Sequence, residues 1–86
     1  MAKIIKTNGE EVDVQPNNGR HFSLKEMQDI VGGYIEVIPY GTKKLMVLNE
    51  EGKLLGLPEN NVATDLVRGA DIIVGDVLLC KASEVK

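Results

Sequence analysis

The sequence predicts an α+β domain, a mainly antiparallel sheet with one well-defined helix and one short helix in the order ββαββ(β)αβ. Three observations carry that prediction. Asn8-Gly9 sits between two short runs of strand character, Ser23 and Glu26 open an amphipathic stretch, and residues 45–48 and 77–80 are unbroken apolar runs of strand length. No segment repeats another and no low-complexity linker divides the 86 residues, so the expectation is a single domain over 1–82 with 83–86 as a frayed end.

Lys3 to Lys6 and Glu11 to Gln15 flank Thr7-Asn8-Gly9-Glu10, and Asn-Gly is the pair that best tolerates the positive φ values of a tight hairpin. Val12 and Val14 alternate with Glu11, Asp13 and Gln15, which gives the second strand one buried and one wet face. Pro16-Asn17-Asn18-Gly19 is loop chemistry. Ser23 and Glu26 then have capping-box spacing, and Phe22 and Met27 occupy the hydrophobic-staple positions around them. Leu24, Met27, Ile30 and Val31 form the apolar face of the helix that follows, with Gly32-Gly33 as its left-handed stop.

Tyr34 to Tyr40 is β-branched and aromatic, and Pro39, which cannot donate to a ladder, puts this strand at an edge or ends it there. Gly41-Thr42-Lys43 turns into Leu45 to Leu48, whose continuous apolarity implies burial on both faces or a covered edge. After the turn Asn49 to Gly52, Lys53 to Leu57 is read as an optional short strand closed by Pro58. Asn60 or Asn61 caps a short helix running to about Arg68, with Gly69 as its stop, burying Val62 or Ala63, Leu66 and Val67. Ile72 to Val74 and Asp76 to Cys80 read as strand on either side of a bulge or tight turn at Gly75.

Composition narrows function mainly by exclusion. Apolar residues make up 43% of the chain and charged residues 27%, enough to fold and too mixed for wholesale disorder. The net charge of -3, with both signs interleaved, argues against duplex nucleic acid as a partner and is too mild to imitate DNA. One His and one Cys cannot build a zinc site of ordinary composition, and Cys80 within an apolar run reads as a buried, inert thiol. No cofactor is expected. The apolar runs fall far short of a membrane span and no signal segment opens the sequence, so a cytoplasmic protein without a membrane partner is expected.

Gly32-Gly33-Tyr34-Ile35-Glu36, then Asn49-Glu50-Glu51-Gly52-Lys53, Leu57-Pro58 and Gly75-Asp76-Val77, resemble a family of small uncharacterised domains. That family is encoded largely by bacteriophages and mobile elements and carries a domain-of-unknown-function label. The resemblance spans nearly the whole chain. It implies a context, accessory proteins acting against host defence or regulation, and brings no catalytic residue or cofactor with it.

Two polar constellations and two rings stand out. Asn17-Asn18-Gly19-Arg20-His21 leads into a helix N-terminus, where free N–H groups favour an anion and Arg20 adds a bidentate phosphate contact; a solvated turn before a capped helix is the alternative. Asn60, Asn61, Thr64 and Arg68 lie at the start and along one side of the short helix, as ligand groups or as caps and solvated surface. Tyr34 and Tyr40 share a strand face if the strand is regular, to stack on a base or to pack. The leading expectation is a non-enzymatic binding protein of phage or mobile-element origin, holding a phosphate-bearing molecule such as a nucleotide immune signal through these groups. It should form a homo-oligomer, because a domain this small rarely encloses a ligand alone. The alternative is a protein-interaction inhibitor of a host protein, using Tyr34, Tyr40 and the exposed part of Lys43 to Leu48.

Overall fold

Residues 2–85 are described by a computed structural model. Five strands form one antiparallel sheet: β1 Ala2–Ile5, β2 Glu11–Val14, β3 Ile35–Gly41, β4 Lys44–Asn49 and β5 Val77–Lys81, arranged β2-β1-β5-β4-β3. The two apolar runs therefore become the inner strands β4 and β5, where both faces must be covered. Alternation does the covering. Leu45, Val47, Leu78 and Cys80 face one core with Phe22, Met27 and Val31, whereas Met46, Leu48, Val77 and Leu79 face a second core with Ala63 and Ile73. Helix α1 (Leu24–Val31) lies over the first face and helix α2 (Asn61–Leu66) over the second.

The hairpin β1–β2 turns at Gly9, with φ 90°, and runs in the register Ala2↔Val14 to Ile5↔Glu11. The capping box of α1 is complete: Glu26 N–H donates to Ser23 Oγ at 3.1 Å and Ser23 N–H donates to Glu26 Oε1 at 2.9 Å. Phe22 and Met27 share the core beneath. Gly32 ends the helix at φ 82°, and Gly33 is required for a second reason, since a Cβ there would lie 3.0 Å from Asn49 Nδ2. Leu24 departs from the expected apolar face. It is 57% exposed, whereas Met27 and Val31 are buried.

Strand β3 is an edge, as Pro39 requires. The optional strand over Lys53 to Leu57 does not form. β4 already has a neighbour on each side, so the segment closes on itself in turns, with Leu55 N–H donating to Glu51 O and Leu57 N–H to Gly52 O. Ile72 to Val74 is likewise not a ladder strand. It pairs with the chain entering α2 through the Glu59↔Val74 bridge and the Asn60 N–H to Ile73 O bond, before Gly75, at φ 78°, turns the chain into β5. At the end expected to fray over 83–86, Ala82–Glu84 is a 3-10 turn, and Phe22 N–H donates to Glu84 O at 2.7 Å. Lys86 lies outside the described residues. Among the described residues, no helix is long and apolar enough to cross a membrane.

Candidate functional site

With six residues, α2 spans only about 9 Å, whereas each strand beneath it is longer, so one end of its sheet face stays uncovered. Lysines occupy that end. Lys44 on β4 and Lys81 on β5 are direct cross-strand partners, and the two-residue period puts them on the same face as Met46 and Leu79. Like charges placed opposite each other destabilise a sheet, and neither lysine has an acidic partner among the described residues, whose ion pairs are Lys3–Glu11, Lys25–Asp29 and Lys53–Asp71.

Lys3 extends the row onto β1. It opposes Leu79, which makes it the diagonal neighbour of Lys81, and its ammonium is paired with Glu11 at 3.1 Å. That hydrogen bond with Glu11 raises the Lys3 pKa above its ordinary value, helped by the charges of Glu11 and Asp13. Tyr40 closes the opposite side at the register shift between Pro39 and Gly41. Burial raises its phenol pKa, as does nearby Cys80, while Lys3 opposes the shift. Val62 and Leu66 of α2 form an apolar wall, and the groove so bounded has a volume of about 400 Å³. Charged heads, one phenol and an aliphatic wall are the inventory of a site for an amphipathic anion.

Of the residues singled out in the sequence, Tyr40 alone lines this groove. Arg68 borders a neighbouring depression that shares Tyr40 and Leu66 with it. Asn60 is fully buried: its Nδ2 donates to Ile5 O and Gly75 O, both at 2.9 Å, and its Oδ1 accepts from Ala63 N–H. Thr64 is bound in the same way, donating to Asn60 O and accepting from Ile73 N–H, so both serve the fold; Asn61 is exposed beside them.

The other predicted constellation belongs to α1 and hence to the opposite face. Asn18 Oδ1 accepts from the N–H groups of Arg20 and His21, folding the loop upon itself. The anion that this helix N-terminus attracts is Glu26, whose carboxylate accepts from Ser23 N–H and Asn17 N–H; those two bonds hold its pKa below the usual carboxylate range. Arg20 and His21 are left around a site already filled. Tyr34, 64% exposed, lies at the far end of β3 from Tyr40. There it neighbours Leu55, with Leu54 at 86% exposure and Ile72 also on the surface, amid Glu36, Glu50, Glu51 and the Lys53–Asp71 ion pair. The exposed part of Lys43 to Leu48 is Lys43 and Lys44, at the Tyr40 end of β3, so Tyr34 at the other end does not share one patch with them.

Lys3 and Lys81 escaped notice as site residues in the sequence, and Lys44 entered only within the Lys43 to Leu48 contact patch, although each lies at or near one end of an apolar strand. Their spacing carries no motif, because the sheet order that gathers them is not the order of the chain. No curated protein and no solved structure matches this sequence. The chain belongs to the family described as Domain of unknown function (DUF3846), which matches residues 2–86.

Proposed function

We propose that the protein is a non-enzymatic binder of a small phosphate-bearing molecule, seated in the groove between α2 and the lysine end of the sheet. The observation that carries this reading is the unpaired, directly opposed Lys44 and Lys81. Such a pair weakens the empty protein and is relieved when an anion bridges it. In the phage or mobile-element setting that the sequence resemblance implies, such a protein would sequester a nucleotide signal of host immunity in the host cytoplasm. The groove is open along one side, and a second copy placed over it would enclose the ligand, which favours a homo-oligomer.

A second reading, a regulator that docks on a host protein, is favoured by the opposite end of β3. Leu54, Leu55, Tyr34 and Ile72 are exposed there within an acidic surround, suited to a partner with an apolar, basic-rimmed surface. A thermal-shift titration with inorganic phosphate, pyrophosphate and a panel of linear and cyclic nucleotides tests the first reading. Phosphate compounds should raise the melting temperature of wild type and of Arg20→Ala, and should fail to do so for Lys81→Gln, whose ligand-free form should be more stable than wild type by about 0.2–1 kcal/mol. If nothing shifts wild type, while capture from host lysate recovers a protein that is lost on Leu54→Asp, the docking reading replaces it.

A further inference from the structure

We infer that the groove selects a dianionic phosphate monoester over a singly charged phosphodiester. The inference rests on the reading of the groove as the binding site and follows from counting charges and donors there. Lys3 is already matched by Glu11, with Asp13 opposite it on β2, which leaves Lys44 and Lys81 as the two cations of the groove without an ion-pair partner among the described residues. As direct cross-strand partners their Cβ atoms lie about 4.5–5.5 Å apart, so both flexible stems can bring an ammonium to one group. The wall on the α2 side is Val62 and Leu66, and the floor includes Leu79, so these surfaces supply no counter-charge for the excess carried by the two exposed ammoniums. One negative charge leaves such an excess; two remove it.

The donors agree with the charges. A terminal phosphate presents three oxygens, and the groove offers three donor groups, the ammoniums of Lys44 and Lys81 and the hydroxyl of Tyr40. A phosphodiester has only two non-bridging oxygens and one charge. The other charged and titratable groups about the site are Lys3, Glu11 and Asp13 on the β1–β2 hairpin, Arg68 after α2 in the adjoining depression and, on β5 and just beyond it, Cys80, whose thiol burial pushes up to about 11, and Glu84, whose carboxylate is bonded to the Lys81 backbone N–H. A volume of about 400 Å³ accommodates a body of nucleoside size, its apolar face against Val62 and Leu66.

Isothermal titration with adenosine 5′-monophosphate, its 5′-phosphate methyl ester and inorganic phosphate tests the inference. The monoester should bind at least about tenfold more tightly than its methyl ester, the difference expected of one charge-assisted hydrogen bond. Its affinity should fall as pH drops from 7.5 to 5.5, through the second phosphate pKa near 6, while that of the methyl ester stays level. Lys81→Gln should bring the two ligands together, and Tyr40→Phe should weaken the monoester more than the ester. Equal binding of both ligands by wild type, without pH dependence, overturns the preference for a dianion and leaves the groove as an anion site. Absence of binding by all three probes overturns the site as well.

Discussion

A single amide, that of Asn60, joins three parts of the molecule. Its Nδ2 reaches the carbonyls of Ile5 and Gly75 while its Oδ1 caps α2 at Ala63 N–H, so strand, turn and helix meet on one buried side chain. Asn60→Ala would leave two carbonyls and an N–H unsatisfied, at a cost of about 2–4 kcal/mol in urea unfolding. Asn61→Ala, on the exposed neighbour, should stay within about 0.5 kcal/mol. Equal effects at the two positions would remove this assignment. The cap was legible in the sequence, because a side chain bonding three residues onward is a local event. The burial was not, since the two carbonyls come from residues 55 and 15 positions away.

Helix α1 shows how far local signals carry an element. Cap, staple and glycine stop are each set within a few residues, and all three form as the sequence predicts. Lys53 to Leu57 and Ile72 to Val74 have comparable strand character, yet their state depends on whether the adjoining strands β4 and β5 have a free side, and both are flanked through distant pairings. The capping box also gives the helix a pH signature. Glu26 accepts two backbone N–H bonds only in the folded chain, and its folded pKa lies below its ordinary value. Its contribution is therefore present above the ordinary carboxylate range and is lost as pH falls through the depressed folded pKa. Denaturation melts from pH 7 down to pH 2.5 should show a shallower acid loss for Glu26→Gln than for wild type. Ser23→Ala should cost roughly 1 kcal/mol at neutral pH. Parallel acid limbs for Glu26→Gln and wild type would mean that the carboxylate is not the titrating group.

At the scale of the molecule, the sheet separates what the chain places close together and gathers what it spreads apart. The loop before α1 and the polar residues of α2 end on opposite faces, while Lys3, Lys44 and Lys81 arrive on three neighbouring strands. Of the groove, only Tyr40 was visible in advance, because a ring at a strand end is notable anywhere and a lysine is not. Three lysines on a chain of net charge -3 are too few for a duplex, so gel-shift titration at physiological salt should show no retention of DNA. Submicromolar retention that weakens steeply with added salt would point to a far wider basic face. The place of β5 has a further consequence, for the order of events in folding. The β1–β2 and β3–β4 hairpins close locally, yet they share no ladder hydrogen bonds; β5, made after both, is the strand that joins them, with Lys3 waiting for Leu79. On the ribosome, two half-sheets with open edges must persist until residues 77–81 emerge, and the late, long-range closure that follows makes this a slow folder for its size and dependent in the interval on escaping aggregation.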